Sequence, residues 1–368
     1  MNVTTELRER QAGPSSKLAI IDSDIHPSLR TPRDLDPFLS ARWRKHIAEY
    51  GKLGHGPYAM RNTYPRFMPN TARRDAWPPG GFPPGSDLAF MQAQHLDPLG
   101  IELGVLEPLM DSSLVRNLEL SAALCSAIND WQVDAFTSKE SRLRASIVVP
   151  FEDAAASVRE IEKRAGDKNF VQIQMNSRST EPVGRQRYWP IFEAAESLGL
   201  PIGMHIGGEA GHGPTASGWP SFYVEDHHGL VHTMQCQATS LVLEGVLERF
   251  PGLKIIMIEG GFAWIPALAW RLDAHWRKMA SEVPQVKRPP SEYIRRNLYV
   301  STQPMEEPAD SKHLRQTLEW IGWDRIVFAT DYPHWDFDDP RTAFKCELSE
   351  AERHAIFRGN AEQLYRLA

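Results

Sequence analysis

The sequence predicts a (β/α)8 TIM barrel with a long Pro-, Gly- and aromatic-rich insertion after its first strand. Three observations predict it. Eight short runs rich in Val, Ile and Leu recur along the 368 residues. Amphipathic stretches long enough for helices separate most of them, as parallel strands covered by helices require. No GxGxxG turn follows the first run, which counts against an open dinucleotide-binding sheet.

The runs are LAIIDSDIH (18–26), IELGVLEP (101–108), RLRASIVVP (142–150), NFVQIQMN (169–176), PIGMHIG (201–207), LKIIMIEG (253–260), NLYVSTQ (297–303) and RIVFATDYP (325–333). Their near-continuous apolar character suits strands buried on both faces. Helices are expected over 114–138, with apolar positions at Leu114, Leu118, Leu124, Ile128 and Trp131, and over 153–165, 188–199, 229–250, 263–280 and 310–321. Ser349 followed by Glu352 reads as a capping box that opens a last helix running to Tyr365.

Residues 1–17 read as a polar tail, and 18–368 as a single barrel domain. Between the first two runs, the insertion over 30–95 interleaves prolines and glycines with Tyr58, Tyr64, Phe67, Trp77 and Phe82. In a barrel it leaves from the C-terminal face, so it is expected to cap the mouth.

Composition narrows the partners. A net charge of −6 with no basic block speaks against nucleic acid and anionic membranes. Cys125, Cys236 and Cys346 are too far apart for a zinc knuckle or a disulfide framework. The N-terminus lacks an apolar signal core and no apolar run approaches a membrane span. The expectation is a soluble, cytoplasmic protein, a homo-oligomer (dimer), acting on a small molecule.

Function is read from what ends the strands. Asp24 and His26 close the first run, two residues apart and therefore on one face. His205 ends the fifth, Glu259 the sixth and Asp331 the eighth. An apolar strand has reason to avoid such groups unless something offsets their desolvation. Asp24, His26, His205 and Asp331 converging on one rim make an N/O set for one divalent ion, zinc first, with manganese or iron as alternatives.

The segments IDSDIHP (21–27), GMHIGG (203–208), RFPGLKIIMIEGGFAWIP (249–266), RIVFATDYPH (325–334) and GNAEQLY (359–365) resemble the amidohydrolase-2 branch of the amidohydrolase superfamily. That branch includes aminocarboxymuconate-semialdehyde decarboxylase and γ-resorcylate decarboxylase. The resemblance implies one metal ion, with His26, His205 and Asp331 at matching ligand positions and Asp24 where the family has His or Glu. Glu259 stands where the decarboxylases carry a histidine. It is a candidate proton donor or shuttle, a candidate ligand, or an idle ion-pair partner.

Three activities follow from this reading. The leading one is a metal-dependent hydrolase with Asp331 as base and Glu259 moving a proton. The alternative is a non-oxidative decarboxylase of an aromatic or conjugated acid. The third is a catalytically silent binding barrel. His227 is a further catalytic candidate, read with His228 as a loop pair. His334, Trp335, Tyr332 and Trp264 are candidates for the mouth or pocket wall, and Arg61 for a carboxylate clamp.

Overall fold

All eight apolar runs form strands in a computed structural model, which describes residues 19–52, 68–110, 112–113, 115–208 and 213–367. They are β1 (Ile20–Ile25), β2 (Ile101–Leu106), β3 (Leu143–Val148), β4 (Phe170–Asn176), β5 (Ile202–His205), β6 (Ile255–Ile258), β7 (Leu298–Ser301) and β8 (Ile326–Val327). They pair in sequence order, and every pairing is parallel. Ser23 N donates to Phe328 O at 2.9 Å and His26 N to Tyr332 O at 2.7 Å, which joins the last strand to the first. β8 is shorter than its apolar run because residues beyond Val327 bond to β1 and to Ile356 rather than to β7.

Successive strand residues alternate between two cores. Ile255 and Met257 belong to the large cluster shared with the helices, whereas Ile256 and Ile258 join Ile21, Val105, Val171, Tyr299 and Val327 inside the barrel. The last helix (Asn360–Tyr365) adds Ala361, Leu364 and Tyr365 to this inner cluster and plugs the bore. Its approach begins at the expected capping box, where Ser349 Oγ accepts from Glu352 N at 3.3 Å. A wide π turn over Ala355–Gly359 interrupts the single helix expected there.

The outer helices fall close to their expected spans: Leu118–Gln132, Ala154–Arg164, Trp189–Leu198, Trp264–Met279 and Ser311–Ile321. One differs in a way that matters. The helix after β5 starts at Tyr223 and runs to Leu243, so His227 and His228 lie in its first turns and not on a loop. The described helices include none long and apolar enough to cross a membrane.

The described parts of the insertion are ordered rather than structureless. A helix over Ala41–Tyr50 starts where Ser40 Oγ accepts from Trp43 N, and Leu35, Leu39 and Trp43 are buried in the large core. Further along, Trp335 N donates to Thr71 O at 2.8 Å and Arg73 N to Pro333 O at 3.0 Å, so Thr71–Arg73 lies beside the loop after β8. Arg61, Tyr58, Tyr64, Phe67 and the 1–17 tail lie outside the described residues.

Candidate metal centre and adjoining pocket

The strand ends deliver their polar side chains to one rim. His26 Nδ1 lies 2.7 Å from the carbonyl oxygen of Glu107, and His205 Nδ1 lies 2.6 Å from that of Ile206. A carbonyl can only accept, so each Nδ1 carries a proton and each Nε2 is the nitrogen turned inward, the one that would bind a metal once unprotonated. His26 Nε2 then faces Asp331 Oδ1 at 2.7 Å, Asp24 Oδ1 at 3.3 Å and Glu259 Oε2 at 3.9 Å. His205 Nε2 faces Glu259 Oε2 at 2.8 Å and Asp24 Oδ2 at 3.8 Å.

Carboxylates and imidazole nitrogens held this close need positive charge among them, from a proton or a metal ion. Both Asp24 oxygens, both Nε2 atoms and Glu259 Oε2 are buried without a hydrogen-bond partner. Buried polar atoms are seldom left so. These orphaned atoms share one location, and their chemistry is that of a divalent-ion site.

The electrostatics agree. Burial, reinforced by Glu259 and other neighbouring carboxylates, pushes the carboxyls of Asp24 and Asp331 well above the usual range. Burial opposes charge on His205, but Glu259, Asp24 and Glu107 outweigh it and raise the imidazole to about 10. His26 is driven down by burial and by the nearby His334 and His205. The cluster therefore demands positive charge, which protons supply when no metal does.

Ligand atoms of Asp24, His26, His205 and Glu259 lie within 4.8 Å of one another, and so do those of His26, Glu259, Asp331 and His334. The backbone at Glu259 (φ 59°) and Asp331 (φ 62°) is left-handed. Such geometry is costly for a residue with a Cβ and concentrates at functional sites. Asp331 is further fixed by His334 Nδ1 at 2.6 Å and by Gln303 Nε2, which donates to its Oδ2 at 3.1 Å. Beneath the rim, Asp22 accepts from Thr330 N at 2.9 Å and Thr330 Oγ1 at 2.6 Å, and meets His95 Nε2 at 2.8 Å.

With this geometry in place, the likeness to known proteins is informative. The amidohydrolase family profile matches residues 21–367. The chain belongs to the amidohydrolase family. It is an enzyme of that family, whose relatives include γ-resorcylate decarboxylase of Polaromonas sp. strain JS666, 28% identical over 261 residues, 65% of this chain and 75% of that one. Two solved structures share the fold. The 5-carboxyvanillate decarboxylase of Sphingomonas paucimobilis has a TM-score of 0.69 at 21% identity, covering 95% of this chain and 99% of its own. A dihydroxybenzoic acid decarboxylase from Polaromonas sp. JS666, with bound manganese and the inhibitor 2-nitroresorcinol, has a TM-score of 0.66 at 21% identity, covering 95% and 97%.

In this amidohydrolase-family chain the residues expected at the site separate into groups. Asp24, His26 and His205 come together with Glu259, and Asp331 joins through His26 and His334. His227 Nε2 pairs with Asp336 Oδ2 at 3.2 Å, and the two reach Glu259. His228, one residue on, is exposed and lines a different groove. Trp335 and His334 line the pocket over the site, but two expected wall residues do not. Tyr332 is buried against His95, and Trp264 Nε1 donates to Gly260 O at 2.9 Å.

Sequence reasoning missed Asp336, whose only signal is its place in the HWDFDD run after Asp331. It also missed Tyr223, which accepts from Trp335 Nε1 at 2.9 Å and stacks on His227. The pocket they share with Thr71, His205, Glu259 and His334 measures about 170 Å³. A larger groove of about 990 Å³ runs along the other side of the Tyr223–Leu243 helix. It includes no residue of the buried cluster, whereas the smaller pocket is lined by His205, Glu259 and His334.

Proposed function

We propose that this enzyme removes the carboxyl group of a small aromatic or conjugated acid without oxidation, using a divalent metal ion. The supporting observation is the convergence of unpartnered buried ligand atoms under a pocket of about 170 Å³. A cavity of roughly 150 Å³ accepts one benzene ring, so the space suits a single-ring substrate. Asp24, His26, His205, Glu259 and Asp331 are the side chains that would hold the ion. Once bound, it supplies fixed positive charge for the substrate's carboxylate and an adjacent oxygen.

Hydrolysis, the leading expectation from the sequence, gives way here, because the three relatives named above are all decarboxylases. Zinc loses its priority too: the Polaromonas structure contains manganese.

The chain's own residues do the remaining work. As the C–C bond breaks, carbon dioxide leaves and the electron pair stays on the substrate carbon, which must take a proton. His334 lies on the pocket wall with Nδ1 held 2.6 Å from Asp331 Oδ1. A proton passes from His334 Nε2 to carbon while Asp331 returns one to Nδ1. Trp335 and Leu109 offer the ring an apolar wall. Thr71, from the insertion, lines the same pocket and supports its reading as a cap.

The test is to load the protein with Mn²⁺ and offer hydroxylated benzoates and conjugated ring-cleavage acids. Carbon dioxide release is expected, with one deuterium from D2O at the vacated carbon. Products of water addition or bond hydrolysis, with no carbon dioxide from any acid, would overturn the proposal.

A further inference from the structure

We infer that a second cavity at the barrel mouth seats a neutral hydrogen-bond-donating substituent of the substrate, a hydroxyl or an amino group, with Gln174 Oε1 as its acceptor. On the reading above, the neighbouring pocket holds the acid's carboxylate, and the subsite rests on that placement.

The residue pattern of β4 is the first support. In QIQMN (172–176), Gln172, Gln174 and Asn176 alternate with apolar residues, so three amides share one face of the strand. Ile173 and Met175 pack into the large core shared with the helices, which turns the amide face into the bore. Gln174 is 4% exposed, and its Nε2 donates to Pro108 O at 3.1 Å. A carbonyl only accepts, so the amide nitrogen is engaged there and Oε1 is the atom left over. Oε1 is buried, and no described residue donates to it. A buried acceptor in that state calls for a donor. Gln172 Oε1 is unpartnered too, but Gln172 lines neither cavity.

Placement is the second support. Gln174, Asn176 and Ser113 line a cavity of about 120 Å³, whose other walls include Pro108, Val148 and Ile206. It shares Leu109, Ile206 and Gly207 with the pocket over the ligand cluster. No atom of the described residues lies within 4 Å of where a side chain on Gly207 would begin, so the partition is open there. Asn176 pairs in register with His205, which fixes the second cavity beside the ligand rim. A ring with its carboxyl at the rim can therefore extend a substituent past Gly207.

The lining selects the substituent. The described residues around the second cavity include no charged side chain. A second carboxylate would shed its hydration there and meet no counter-charge. A methyl group would fill the space but leave Oε1 unpaired, a penalty that a hydroxyl or amino group removes. Sites built to bond a hydroxyl discriminate against the analogue lacking it far better than apolar pockets discriminate by size.

The experiment offers full-length, Mn²⁺-loaded protein a series of 2-hydroxybenzoates that carry hydroxyl, amino, methyl or carboxylate at each remaining ring position. Titration calorimetry reads binding, and carbon dioxide release reads turnover. At one ring position the hydroxyl or amino acid should surpass its methyl counterpart by roughly 10- to 100-fold. The dicarboxylate should do no better than the methyl acid. Gln174→Met, close in shape but without the acceptor, should bring the hydroxyl-to-methyl ratio to about one while metal content stays unchanged. Gln174→Leu gives the same reading should circular dichroism show the methionine variant unfolded. Equal handling of hydroxyl and methyl at every position would overturn the subsite and leave the proposed function standing. So would a preference that survives substitution of Gln174, or one for the second carboxylate. A hydroxyl preference in binding that depends on Gln174, with no carbon dioxide from any acid, would instead sink the decarboxylase reading and keep the subsite.

Discussion

The two ends of the barrel bore are built from the same strands and obey opposite rules. At the floor, Ile21, Val105, Val171, Ile256 and Val327 close on Ala361 and Leu364, an apolar packing with little need of polar partners. At the mouth, Asp24, His26, His205, Glu259 and Asp331 are just as buried, yet several of their ligand atoms are unpartnered. Burying charge without compensation costs several kcal/mol per group (roughly 1–3 even for an uncharged polar group). The floor therefore accounts for itself as stability, whereas the mouth calls for positive charge among its carboxylates and imidazoles. The contrast predicts that mutations at the two ends fail in different assays.

The largest effect belongs to the mouth. His205→Ala should remove bound ion and lower kcat/KM by about 10³-fold or more, or ~4 kcal/mol of transition-state stabilisation. The fold should survive, because deletion relieves a crowded polar cluster. Steady-state kinetics with metal analysis checks this, and a variant that unfolds while retaining its ion would break the contrast.

At the floor, Ile256→Ala is expected to cost about 2–5 kcal/mol of stability by opening a cavity. Turnover per folded molecule should stay near wild type. Denaturant unfolding beside kinetics would reveal a floor that feeds into catalysis, should the rate fall as well.

The smallest effect sharpens the comparison at a third place, the seam between insertion and barrel. Glu140 accepts from Arg142 Nε and Nη2 and from Gln92 Nε2, and these bonds, chiefly those from Arg142, hold its carboxyl down at about 2. A depressed carboxyl stabilises the fold at pH values above its unfolded range, and that contribution disappears as pH falls from about 4.5 towards 2. Glu140→Gln should destabilise at neutral pH by about 1–3 kcal/mol. Its thermal midpoint should converge on that of wild type as the solution is acidified through this window. A gap that persists at low pH would place the effect in packing instead.

Much of the architecture was legible in the sequence because it is written in local patterns. Apolar runs located all eight strands, and the Ser349–Glu352 box located the start of the approach to the last helix. His26, His205, Glu259 and Asp331 stood out because polar groups at the ends of apolar strands need a reason. What escaped notice lacks a local signature. Asp336 lies in an irregular loop after a strand of two paired residues, where no periodicity operates. His227 was assigned to a loop because its helix opens with the polar run YVEDHH, which hides the apolar face. The contact between His95 and Asp22 spans 73 residues, so only the folded chain brings them together.

The longest of these ties has a consequence for how the enzyme is born. Asp22 grips Thr330 across 308 residues of chain. A ribosome must therefore release the chain through Thr330 before the rim can close. Until then the nascent β1 shows an unpaired edge, with Asp24 and His26 stranded away from Asp331. Synthesis thus sets the earliest moment at which these side chains can meet.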